Sequence, residues 1–125
     1  MTDITGFGLV GHALEVAAAS QLSITIEHRR LPLIAGALEY GRRGYCSSGL
    51  QSNMDYYSER ITIADDVPKE LRNVLFDPQT SGGLLVFCDP ARADAFASAL
   101  AGEGILAAEI GATAQAHDSR LLHIR

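Results

Sequence analysis

Two apolar periods divide the chain into elements. From Phe7 to Ser20, the residues Val10, Ala13, Leu14 and Ala17 recur at helical spacing and form one stripe, which predicts a first helix aimed by core packing. The pattern then changes. Leu22-Ser23-Ile24-Thr25-Ile26-Glu27-His28 alternates apolar and polar residues, predicting a half-buried strand with Leu22, Ile24 and Ile26 inward, ended in solvent by Arg29-Arg30. Pro32 suits a first helical turn, and Leu33, Ala37, Leu38 and Tyr40 support a short helix that stops between Gly41 and Gly44. Helical spacing returns at Lys69 to Phe76, with Leu71, Val74 and Leu75 inward. It returns again after Asp89-Pro90, with Ala93, Phe96, Ala97 and Leu100 as a core stripe and Gly102 or Gly104 as the stop.

The remaining apolar segments are short. Leu84 to Cys88 is a continuous apolar run, the mark of a strand buried on both faces. Ile61-Thr62-Ile63 is either an edge strand or packed loop. Ile105 to Ile110 and Leu121 to Ile124 are expected to be strands, joined through the small and polar residues Gly111 to Ser119. Gly44 to Ser58 has many turn formers and neither period, so it is expected to be a long loop with at most one helical turn. Strands mixed with helices in this order predict an α+β fold, a mixed β-sheet covered by helices.

Composition narrows the class. A chain of 125 residues, 47% of them hydrophobic, fits one domain with a real core. No apolar run approaches the roughly 20 residues of a membrane helix, and the start lacks a signal-peptide pattern, so the expected address is cytoplasmic. The charge of -5, with one lysine and scattered arginines, offers no basic face for nucleic acid. Cys46 and Cys88 match no metal-ligand spacing and read as free thiols.

Candidate chemistry concentrates in two stretches. The first is Thr2-Asp3-Ile4-Thr5-Gly6-Phe7-Gly8-Leu9-Val10-Gly11-His12, where a carboxylate, two hydroxyls and glycines precede the first helix. Free N–H groups and the dipole at a helix start favour anions, and glycine lets main chain approach a phosphate. Asp3 is suited to a hard cation such as Mg²⁺, which takes oxygen ligands and shares them with phosphates. The same glycines also fit plain tight packing of a helix. His12, on the first turns, reads first as satisfying a local backbone group, with a phosphate contact as the alternative. The second stretch is Asp77-Pro78-Gln79-Thr80-Ser81-Gly82-Gly83, where proline ends a helix and paired glycines permit close approach of a partner. Ser47, Ser48 and Asn53 are candidates for lining a site from the intervening loop. Asp65-Asp66 before Val67-Pro68 is read as a helix start in preference to a second acidic metal site.

Both stretches carry a resemblance. The residues Thr2 to His12 resemble the signature that opens the C-terminal domain of the selenophosphate synthetases (selenide, water dikinases), part of the wider aminoimidazole ribonucleotide synthetase-like superfamily. Asp77-Pro78-Gln79-Thr80-Ser81-Gly82-Gly83-Leu84-Leu85 is similar to a second block of that domain. Gly49-Leu50-Gln51-Ser52-Asn53 is similar to the family's loop ending in Asn, although the family more often has Gly-Thr where this chain has Gly49-Leu50.

The resemblance implies an aminoimidazole ribonucleotide synthetase C-terminal-domain-like fold and an ATP-dependent phosphotransferase that yields selenophosphate, AMP and orthophosphate from selenide, ATP and water. It implies Mg²⁺ as cofactor, held in part by Asp3, with Thr5, Gly6 and Gly8 shaping a phosphate pocket. Thr80, Ser81, Gly82 and Gly83 would form its facing wall, and Asn53 a further nucleotide contact. In the family the nucleophile, its neighbouring Lys and most metal-binding Asp residues belong to an N-terminal domain that also carries most of the homodimer interface. Residues 1–125 are therefore expected to be a single C-terminal domain separated from its ATP-binding partner, able to fold but to bind ATP only weakly and to make no selenophosphate. Cys46, Cys88 and Lys69 are not expected to be catalysts. Two alternatives stay open: a sister synthetase or kinase of the superfamily, against which Phe7 and His12 argue, and a non-catalytic binding module that retains the fold.

Overall fold

The computed structural model describes all residues, 1–125. The first predicted helix is α1, Gly8–Ser20, ended by Gln21 in the left-handed conformation. Its stripe is the centre of the core: Val10, Ala13, Leu14 and Ala17 are all fully buried. It packs on β2, Leu22–Ile26, and on β6, Leu122–Ile124. These belong to a four-stranded mixed sheet completed by β3, Ile61–Ile63, and β5, Gly111–Gln115, in the order β3-β6-β2-β5. The β2–β6 and β3–β6 pairs are parallel and β2–β5 is antiparallel.

Register puts one apolar row against the helices. Ile24 and Ile61 both stand opposite Leu122, and Ile26 and Ile63 opposite Ile124. The alternate residues Thr25, His123 and Thr62 share the other face, as the period of two requires. Behind α1 lie α3, Gly49–Tyr57, and α4, Lys69–Phe76, and α2, Ala37–Arg42, packs on α4. Leu71, Leu75 and Phe76 of α4 are buried, each such side chain contributing about 1.5–3 kcal/mol by leaving water. The mixed α+β architecture, the first helix, the edge strand at Ile61–Ile63, the span Lys69–Phe76 and the final strand are borne out.

Several expectations are corrected. The stretch from Gly44 to Ser58 is not a long loop, because Leu50, Asn53 and Tyr57 make a buried helical stripe with a polar residue in its middle. Pro32 lies outside α2, which starts five residues later at Ala37. Strand β2 ends at Ile26, and His28–Arg30 turns away as a single 3₁₀ turn. The helix-start reading of Asp65-Asp66 fails in detail: Pro68 precedes α4 with no side-chain cap, and Asp66 pairs with Arg29 at 3.1 Å.

The larger corrections fall in the last third of the chain. Only Leu84–Leu85 of the predicted strand is paired, as β4, and Leu84 is 65% exposed. Its partner is β1, Thr2–Asp3, which lies ahead of α1 as an extended segment and not merely as a loop. The next helix, α5, spans Pro90–Gly102 and starts as foreseen, with the Asp89 carboxylate accepting from Ala91 N at 2.8 Å and Pro90 in the first turn. Its expected core stripe buries nothing, and Phe96 is 41% exposed. An N-cap and six alanines sustain this helix by propensity. The strand expected at Ile105 to Ile110 is instead Gly111–Gln115, since pairing with β2, not side-chain apolarity, defines an edge strand whose residues reach solvent. Gly111 makes the approach possible: a Cβ there would stand 1.9 Å from Thr25 O.

Candidate functional site

The two short strands bring the two candidate stretches together. Thr2 faces Leu85 and Asp3 faces Leu84, and the pairing continues as Ile4 N donates to Gly83 O at 2.9 Å and Gln79 N to Thr5 O at 3.0 Å. Ile4 and Leu85 anchor the pair in the core. Because Ile4 is buried, its neighbours Asp3 and Thr5 are turned outward, where both are exposed. Thr80, Ser81, Gly82 and Gly83 run alongside them and are exposed too.

The four glycines of these paired segments and the start of α1 divide into two kinds. Gly8 has φ +65°, and a Cβ on it would stand 2.8 Å from the Phe76 carbonyl carbon. On Gly82 a Cβ would stand 2.1 Å from Ile4 O. These two are required by the fold itself. A Cβ on Gly6 or Gly83 meets nothing within 4 Å, and neither residue has a positive φ. Nothing inside the protein demands glycine at those two places.

Asn53 ties the first of these segments to the end of α4. It is buried on α3, and its Nδ2 donates to Gly6 O at 2.9 Å and to Phe76 O at 2.8 Å. With both amide hydrogens engaged by main-chain carbonyls, it positions the loops, and the expectation of a direct phosphate donor at Asn53 does not fit this geometry. Ser47 plays a related part, since its N and Oγ both donate to Asp77 Oδ1, at 3.1 and 2.6 Å. Ser48 is exposed and makes no capping bond to α3.

The contacts of His12 are made by its side chain, to neither a backbone group nor solvent alone. The ring is buried, Nε2 is 3.0 Å from Thr5 Oγ1, and Nδ1 is 3.2 Å from Glu15 Oε2. It therefore joins the Thr2–His12 stretch to itself through a side chain and not through a backbone group. Their spacings, seven and three residues, were the available signal on a helix that starts between them. Nearby, Phe7 lies 5.3 Å from the His12 ring and 6.2 Å from Tyr57. Burial pushes the Tyr57 hydroxyl's pKa above its usual 10.0, with Glu15 and Tyr56 adding to the effect and Arg60 opposing it.

The start of α1 and the side chain of Asp3 are both free of opposing charge. No side chain caps α1 and no acidic residue lies in its first turn, so its start remains open to negative charge. The Asp3 carboxylate is paired with no basic side chain. Nowhere do three or more His, Cys, Asp or Glu side chains come together as a metal site, so this chain offers at most part of one. Both cysteines are free and exposed, and Lys69 is exposed at the start of α4. No helix is long and apolar enough to cross a membrane.

A mixed-sheet α+β domain with two glycine-rich segments hydrogen-bonded to each other ahead of its central helix is the class that this geometry defines. The chain belongs to the family described as AIR synthase related protein, C-terminal domain, which it matches over residues 1–124. It is similar to the selenide, water dikinase of Clostridioides difficile (strain 630), 46% identical over 86 residues that make up 69% of this chain and 25% of that protein. It is also similar to the selenide, water dikinase of Rhizobium meliloti (strain 1021), 40% identical over 116 residues, 93% of this chain and 33% of that protein. A third, from Pseudomonas aeruginosa, is 43% identical over 111 residues, 89% of this chain and 31% of its own length. The chain thus spans about a quarter to a third of the curated relatives it matches.

Proposed function

We propose that this chain acts as the C-terminal domain of a selenide, water dikinase, a phosphotransferase that uses ATP and water to convert selenide into selenophosphate, AMP and orthophosphate. The observation that carries the reading is the pair Gly6 and Gly83, glycines with open space where a side chain would stand, on two segments joined side by side by main-chain hydrogen bonds. Glycine that the fold does not need, at an uncapped helix start, is what close approach of a nucleotide's phosphates needs.

Mg²⁺ fits the donors present. Asp3 supplies a hard, unpaired carboxylate, and a magnesium ion commonly uses one or two carboxylates with phosphates and water filling the rest. Bound there, the ion supplies neutralisation of phosphate oxygens during transfer. In this reading Asp3 holds the metal, while Thr5, Gly6 and Gly8 shape the phosphate side and Thr80, Ser81, Gly82 and Gly83 face it. Asn53 keeps its place in the site as the residue that positions Gly6. The nucleophile and the remaining metal ligands come from an ATP-binding domain, in a cytoplasmic homodimer, and the chain by itself makes no selenophosphate.

The experiment is to join this chain to such an ATP-binding half and follow selenophosphate by ³¹P NMR, with and without Asp3→Ala. The expected result is turnover in the joined protein only, with a loss of at least about tenfold on Asp3→Ala. Full metal-dependent turnover by Asp3→Ala, or turnover by the 125-residue chain unaided, refutes the reading.

A further inference from the structure

The contacts of His12 fix more than its own position. Glu15 Oε2 stands 3.2 Å from Nδ1 as an ion-pair contact that is not aligned as a hydrogen bond, and the negative charge beside that nitrogen favours the ring hydrogen there. A neutral imidazole carries one hydrogen, which leaves Nε2 as an acceptor. Thr5 Oγ1, 3.0 Å from Nε2, is then the donor of that bond. Its only hydrogen is committed inward, and what the part-buried hydroxyl oxygen has left to offer a ligand is lone pairs.

An oxygen in that state cannot donate to a phosphate. It suits a divalent cation or the water on one, and Asp3 is turned to the same side, two residues away across the buried Ile4. We propose that the chain Glu15–His12–Thr5 sets the polarity of the Thr5 hydroxyl, so that Thr5 joins Asp3 on the cation side of the site and leaves the phosphate side to main chain at Gly6 and Gly83. His12 and Glu15 are positioning residues, acting through Thr5. This rests on the reading of Asp3 as a metal ligand and changes the role that the motif alone assigned to Thr5.

Two measurements on the 125-residue chain test it. The first is the tautomer of His12, from long-range ¹H–¹⁵N correlations of its ring at neutral pH. The hydrogen is expected on Nδ1, with Nε2 bare; a hydrogen on Nε2 overturns the proposal whatever the variants do. The second is a titration with MnCl₂, read as paramagnetic broadening of the Asp3 and Thr5 resonances, compared for wild type, Thr5→Val, Thr5→Ser, His12→Phe and Asp3→Asn. Thr5→Val and His12→Phe are expected to weaken Mn²⁺ binding by about tenfold, the scale of one hydrogen bond to a charged site, and Thr5→Ser to retain it. Loss of binding on Asp3→Asn with none on Thr5→Val sinks this inference and leaves the metal reading standing. Unchanged binding on Asp3→Asn sinks both.

Discussion

Gly82 lies so close to Ile4 that a Cβ on the glycine would stand 2.1 Å from the isoleucine's carbonyl oxygen. Main chain cannot yield there without opening the neighbouring bond from Ile4 N to Gly83 O. Gly82→Ala is expected to destabilise the domain by about 1–3 kcal/mol, as an overpacked contact does. Gly83→Ala, where a Cβ meets nothing within 4 Å, is expected to stay within about 0.5 kcal/mol of wild type. Urea unfolding of the two variants measures the contrast. Equal losses would mean that both glycines serve packing, which would remove the argument for a ligand at Gly83.

Asn53 is expected to be worth more to stability than its single polar side chain suggests. Truncation in Asn53→Ala withdraws the donor from two carbonyls, Gly6 O and Phe76 O, at a cost of about 2–4 kcal/mol. Asn53→Asp should be worse still, since it turns a carboxylate oxygen toward two carbonyl oxygens. A residue kept to contact phosphate would behave differently, with Asn53→Ala as stable as wild type and altered only in nucleotide affinity. Thermal melts of the two variants decide between these.

The same residue explains where sequence reading stopped. Leu50, Asn53 and Tyr57 stand at helical spacing, but an asparagine in the middle of the stripe hides the period that an apolar residue would have revealed. Helix α1 and the span of α4 were legible because their inward positions are uniformly apolar. β5 was not, because Gly111–Gln115 earns its strand by main-chain pairing with β2 at an exposed edge. The pattern misled in α5, whose Ala93, Phe96, Ala97 and Leu100 lie on one helical side yet bury nothing. The motif resemblance singled out the two stretches that the fold pairs; Thr5 meeting His12, and Asn53 meeting two carbonyls, are contacts across folded chain that no spacing states.

His28 is buried, and its Nδ1 has no hydrogen-bond partner. A buried polar atom left unpaired costs roughly 1–3 kcal/mol, while the residue's backbone N donates to Arg125 O at 2.7 Å whatever the side chain. His28→Phe, similar in shape and without the orphan nitrogen, is expected to match or exceed the wild-type melting temperature. A fall of several degrees would show that the ring has a partner, such as bound water, that Phe cannot serve.

Stability should decline at both ends of the pH scale, through two identifiable groups. The Glu70 carboxyl is held below its usual 4.5, first by a hydrogen bond from its own backbone N–H and then by Arg42, whose Nε lies 2.7 Å from Oε1. The fold thus favours the ionised form, and that contribution is present above 4.5 and is lost as pH falls through the lowered folded value. For Tyr57 the sign reverses. Its hydroxyl is raised above 10.0, chiefly by burial, so the fold favours the protonated form; that contribution is intact below 10.0 and is lost as pH rises through the raised value. Urea midpoints measured against pH should therefore fall off in acid and in alkali. Tyr57→Phe, which keeps the ring packed on Phe7 and removes the ionisable group, is expected to flatten the alkaline arm and leave the acid arm alone. Arg42→Ala is expected to shrink the acid arm in part and leave the alkaline arm alone, because without the guanidinium Glu70 still keeps the preference set by its own backbone hydrogen bond, the largest of its causes.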